Sequence, residues 1–152
     1  MAKFNYRMQG ILNIKYKLEE QAKNEFAAAN AALAEEEKKL AELTVRRTRY
    51  ERRAKELMSG KLNPVELNAN KAAIDAMKSI IKDQMVRVQV ARKNVEIARR
   101  KLNEEMVSRK SHEKLKEKAF EVFKQELAAE EAKEIDGLVS YTYGREERNH
   151  NQ

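Results

Sequence analysis

The chain has 152 residues, a length that suits one domain, and its 38% charged and 6% aromatic residues, four Gly and single Pro fit long helices better than a thick globular core. It has no Cys, which excludes disulfides and thiolate metal sites. A net charge of +7 is compatible with nucleic acid, an anionic membrane surface or an acidic protein partner.

No apolar stretch approaches the roughly 18 residues of a membrane span, and none follows Met1 as in a signal peptide. The chain therefore reads as soluble and cytoplasmic.

The first element is a helix over 4–58. It carries Phe4, Met8, Ile11, Leu18 and Ala22, with Lys15 as an exception, and then Phe26, Ala29, Leu33, Leu40, Leu43, Tyr50, Ala54 and Leu57. The steps from Leu18 to Ala22 to Phe26 are two consecutive fours, which predicts a stutter in the coiled-coil repeat. A turn follows at 59–63. Gly60 is placed to end the helix in the left-handed conformation. Asn63 can cap the next helix, Pro64 fits its first position, and Glu66 follows the cap by three residues. So short a connection makes the two helices antiparallel neighbours.

The second helix spans 63–136. Leu67, Ile74, Ile81, Val88, Val95 and Leu102 recur every seven residues, with Met77, Gln84, Ala91 and Ala98 as companions. That repeat keeps one seam facing a partner helix. The fold class is thus all-α, a two-helix antiparallel coiled-coil hairpin over 1–137, and folding it near residue 61 places Phe4 beside Phe120 and Phe123. From Arg109 to Lys118 the strict seam is charged, and Val107, Leu115, Ala119 and Val122 suggest a second stutter. Weak periodicity after Gly137 predicts a flexible C-terminal tail over 138–152.

Catalytic signals are missing. His112 and His150 have no positioned partner in the sequence, the four glycines form no phosphate loop, and a two-helix hairpin offers no cleft. No catalytic, cofactor or metal residue is assigned.

Three features exceed what a seam requires. Phe4, Tyr6, Met8, Ile11, Leu12, Ile14, Tyr16 and Leu18 cover a broad arc of helix. It either meets the longer second helix or docks another protein. Ala73, Met77, Ile80 and Gln84 follow steps of four, three and four beside the seam, as a flanking core row or a recognition groove. Arg46, Arg47, Arg49, Arg52 and Arg53 form a basic cluster around Tyr50, a solvated face or a carboxylate-binding one. No stacking platform or groove-reading motif accompanies the charge, so nucleic acid is not the expected partner.

The opening Phe4-x-Tyr6-Arg7-Met8-Gln9-x-x-Leu12-x-x-Lys15, with Glu20 and Ala22-Lys23, resembles the N-terminal signature of the flagellar export FliJ family. Ser59-Gly60 through Glu66-Leu67 resembles its hairpin turn. The runs Glu113 to Lys118 and Lys133 to Asp136 are similar to its C-terminal helix, so the resemblance covers about residues 4 to 137. It implies a non-enzymatic component of the bacterial flagellar type III export apparatus, shaped like the central stalk of rotary ATPases. The implied partners are the hexameric export ATPase ring, the cytoplasmic domain of the export gate protein and export chaperones, at the cytoplasmic face of the membrane. By the same resemblance, Phe4, Tyr6, Arg7, Met8, Ile11 and Leu12 fall at the ATPase-ring end, and Leu43, Tyr50, Ala73, Met77, Ile80 and Gln84 at the gate-docking positions. Ala73 and Arg46 depart from the aromatics frequent there. A rotary-ATPase stalk subunit, which would need an added globular portion, and a passive structural coiled coil are the alternative readings.

Overall fold

A computed structural model describes residues 2–151 as two α-helices, α1 (Gln9–Met58) and α2 (Pro64–His150), packed against each other as a hairpin, with no strand among the described residues. Ala, Leu, Glu, Lys and Arg, all strong helix formers, fill both.

α1 begins at Gln9, five residues later than the sequence pattern placed it. Residues 2–6 are non-helical, and the Gln9 N–H donates to the Tyr6 carbonyl at 3.1 Å. This N-terminal stretch carries Phe4 to the aromatic rings of α2, whose contacts offset the lost helical turn.

α1 ends without the expected left-handed glycine, since no described residue has positive φ. Ser59 supplies the cap instead. Its N–H donates to the Lys55 and Glu56 carbonyls at 3.2 and 3.3 Å, and its Oγ donates to the Glu56 carbonyl at 2.9 Å. Across the turn, Asn63 Oδ1 accepts from the Val65 N–H at 3.1 Å, and the Asn63 carbonyl accepts from the Leu67 N–H at 3.0 Å. Asn63 is therefore the N-cap, Pro64 occupies the first position, and Glu66 lies in the positively polarised first turn.

α2 continues to His150, so the segment over 138–152 expected as a tail is helical through that residue. Gly137 and Gly144 each cost about 1 kcal/mol against Ala within a helix, too little to end one whose other residues favour it.

The chain divides into two compact units. One joins Met1–Leu18 with Met106–Gln152, and the other is Glu19–Glu105. In the second unit, α1 turns Glu19, Ala22, Phe26, Ala29, Leu33, Glu36, Leu40, Leu43, Arg47, Ala54 and Leu57 inward. Except for one interval at Tyr50, which is 39% exposed, the steps alternate between three and four. The predicted first stutter is absent: Glu19, 5% exposed, takes the seam place between Lys15 and Ala22. Its carboxylate lies 3.5 Å from Lys23 Nζ at the seam edge. Facing it, α2 buries Met77, Ile81, Gln84, Val88, Ala91 and Val95, all members of the heptad expected there, and also Asn70, which that pattern did not include.

Two of those buried side chains are amides. The Asn70 amide, oriented with its nitrogen toward the Tyr50 carbonyl and its oxygen toward the Ala54 N–H, meets both at 3.2 Å. Gln84 Nε2 donates to the Glu36 carbonyl at 2.9 Å and to its carboxylate at 2.5 Å. Among the described residues, no buried side-chain nitrogen or oxygen lacks a partner. Ion pairs Arg92–Glu37 (3.5 Å) and Lys101–Glu25 (3.0 Å) and the Arg99 guanidinium over the Phe26 ring bridge the helices at the seam margin.

In the other unit, Leu12 is 2% exposed and is the most deeply buried large side chain. Phe4 packs on Phe120 and Phe123 with ring centroids 5.1 and 5.4 Å away, as the fold-back geometry predicted. Arg109, His112, Lys116, Ala119 and Phe123 are half-buried in strict heptad steps, whereas Val107, Leu115 and Val122 are exposed. The second predicted stutter is therefore also absent. Long aliphatic stems let Arg and Lys occupy seam positions with their charges at the edge, and Arg109 Nη1 meets Glu113 Oε2 at 3.0 Å.

Candidate functional site

In the unit that holds the N-terminus, the six ring-end residues split between core and surface. Leu12 is buried, and Phe4 and Tyr6 are half-buried and stacked on one another, with ring centroids 6.3 Å apart. Arg7, Met8 and Ile11 are exposed. Phe4, Leu12, Tyr16 and Phe120 form an apolar groove edged by Glu113, Lys116 and Glu117. The Tyr16 hydroxyl donates to Glu113 Oε1 at 2.5 Å and fixes one wall, a link between helices that sequence pattern alone did not suggest.

In the other unit, the six gate-end positions are split more sharply. Met77 and Gln84 are buried in the seam against α1, where they hold the hairpin together. Leu43 and Ala73 are half-buried, while Tyr50 and Ile80 are exposed. Tyr50 and Ala73 share a surface depression with Arg53, Leu57, Glu66 and Asn70, and Leu43 and Gln84 share another with Lys39, Glu42 and Arg46. Ile80 lines neither.

In the basic cluster, Arg47 is half-buried and its Nε lies 3.0 Å from Glu51, and Arg53 lies 3.3 Å from Glu56. Local carboxylates thus engage two of its five members, and Arg46, Arg49 and Arg52 remain exposed.

Among the described residues no group of His, Asp or Glu is arranged to hold a metal. What the surface offers is contact: exposed aliphatic and aromatic side chains beside fixed charges. The protein family described as flagellar FliJ protein matches residues 4–148. The chain belongs to the FliJ family. FliJ membership makes it a component of the flagellar export apparatus, and the match runs past Gly137 into the last turns of α2. No curated protein and no solved structure matches the chain. No described helix is long and apolar enough to cross a membrane.

A further exposed stripe escaped the sequence reading. Met85, Val86, Val90 and Ile97 lie on α2 away from the seam. Its signal was present as aliphatic residues at heptad positions that normally face water.

Proposed function

We infer that this protein couples the export ATPase ring to the export gate by contact, escorts export chaperones, and makes or breaks no bond itself. The observation that carries the reading is exposed apolar surface at two separate places on a hairpin whose seam is already filled. Met8 and Ile11 lie near the N-terminus, and Tyr50 and Ile80 lie in the other unit. A hairpin with only a structural role gains nothing from such surface, whereas a protein with two partners needs two apolar anchors.

In this reading Met8, Ile11 and Arg7 contact the ATPase ring, with Phe4, Tyr6 and Leu12 holding that end in shape. Ile80, Tyr50 and Ala73 contact the gate domain, while Met77, Gln84 and Leu43 support them from the seam. The protein works at the cytoplasmic face of the membrane, where the gate domain is reached.

Pull-downs with the export ATPase and with the gate cytoplasmic domain test this. Ile80→Asp is expected to lose the gate domain and keep the ATPase, and Met8→Asp with Ile11→Asp the reverse. Normal gate binding by Ile80→Asp and Tyr50→Asp together would remove the gate site. Normal ATPase binding by the Met8, Ile11 variant would remove the ring site.

A further inference from the structure

Two unpartnered faces of α2 have complementary chemistry. The first lies in residues 82–101, which carry seven Lys or Arg against Asp83 and Glu96, a surplus of five positive charges. At 3.6 residues per turn, Val86, Val90 and Ile97 fall within about 40° of arc, and Lys82, Lys93 and Arg100 run along one flank. The three aliphatic side chains are between 52% and 63% exposed. Among the described residues, Lys82, Lys93 and Arg100 make no ion pair.

The second face lies in residues 126–143, which carry five acids against Lys133, a surplus of four negative charges. Ile135, Leu138, Val139 and Thr142 fall within about 100° of arc, Glu131 lies on the same arc one turn before Ile135, and Glu130 and Glu134 border one flank at a step of four. Ile135, Leu138 and Val139 are between 52% and 67% exposed. These acids are likewise without ion pairs among the described residues.

Each face thus pairs an aliphatic stripe with one row of like charge, and the two rows have opposite sign. We propose that a second copy of this chain docks its acidic 126–143 face onto the basic 82–101 face of the first, as an amphipathic helix laid along a helix. The aliphatic stripes exclude water from one another, and the charge rows set register and orientation. A few aliphatic side chains fall well short of the roughly 20–30 residues a side of a stable interface, so the association is weak and salt-sensitive. The proposal is independent of the coupling role inferred above.

Sedimentation equilibrium of the full chain tests it. The expected result is association between about 1 and 200 µM at low ionic strength that fades as salt screens the charge rows. Reversing the basic row (Lys93→Glu with Arg100→Glu) or the acidic row (Glu130→Lys with Glu134→Lys) is expected to weaken association about tenfold or more. Mixing the two variants should restore a one-to-one pairing, because each then presents rows that match the other's. All four positions are exposed, and circular dichroism checks that helicity is unchanged. A wild-type chain that stays monomeric throughout the range overturns the proposal. So does association that neither reversal weakens, or a mixture that pairs no better than either variant alone.

Discussion

Gln84 on α2 is bound to Glu36 on α1 twice, its single amide nitrogen reaching both the main-chain carbonyl and the carboxylate, at 2.9 and 2.5 Å. Such a bond in a seam of Ile, Val and Met fixes which residues of the two helices face each other, at some cost in stability. Gln84→Ala removes both contacts and leaves a small cavity, with an expected loss of about 1–3 kcal/mol. Glu36→Ala removes only the carboxylate arm. A double-mutant cycle by urea denaturation should therefore show a coupling of about 1 kcal/mol, and additive effects would mean that the carboxylate arm contributes nothing.

Leu12, Phe4, Phe120 and Phe123 hold the unit with the N-terminus together, so its stability should respond to them locally. Leu12→Ala is expected to cost about 2–4 kcal/mol, and Phe4→Ala a similar or smaller amount because Phe4 is only half-buried. Hydrogen exchange is the suitable readout. Amides near residues 9–18 and 110–123 should lose protection while those near Val88 keep theirs, since local opening draws on local contacts.

The hairpin turn gives two opposite predictions. Asn63→Ala removes the oxygen that caps the Val65 N–H and should cost about 1 kcal/mol. Gly60→Ala should be neutral or stabilise by about 0.5 kcal/mol. Gly60 has no positive φ, and an added Cβ meets nothing within 4 Å. A left-handed cap at Gly60 would instead make that substitution clearly destabilising. Thermal unfolding of the two variants separates these cases.

At the far end of α2, Gly137→Ala and Gly144→Ala should each make the helix more resistant to thermal fraying, because both glycines are helical and neither added Cβ meets another atom within 4 Å. The expected gain is about 0.5–1 kcal/mol of local helix stability each. A double variant that loses ellipticity at 222 nm on heating just as the parent does would show that this segment is not helical in solution.

Much of this architecture was legible from spacing alone. The Ser59 to Pro64 breaker run and the heptads from Leu67 to Leu102 specify an antiparallel pair, and that pairing brings Phe4 to Phe120. Both expected stutters failed for one reason. An apolar pattern skips Glu19, Glu36, Arg47 and Lys116, whereas a continuous helix keeps its geometric phase and turns them into the seam, where stems pack and charges reach the edge. The heptad pattern already held Met77 and Gln84 as seam companions, and both are buried there; it was the family resemblance that also put them among the gate-docking positions. The end of α2 was misjudged for a different reason: weak periodicity signals a lack of tertiary partners, not a lack of helix.

The coupling role proposed above requires one chain to hold the export ATPase and the gate domain at once. Size-exclusion chromatography of the chain mixed with the export ATPase and the gate cytoplasmic domain tests it most directly. A single complex containing all three is the expected result. Ile80→Asp should release only the gate domain, and Met8→Asp with Ile11→Asp only the ATPase. Two separate binary complexes that compete for the chain, with no ternary species, would contradict it.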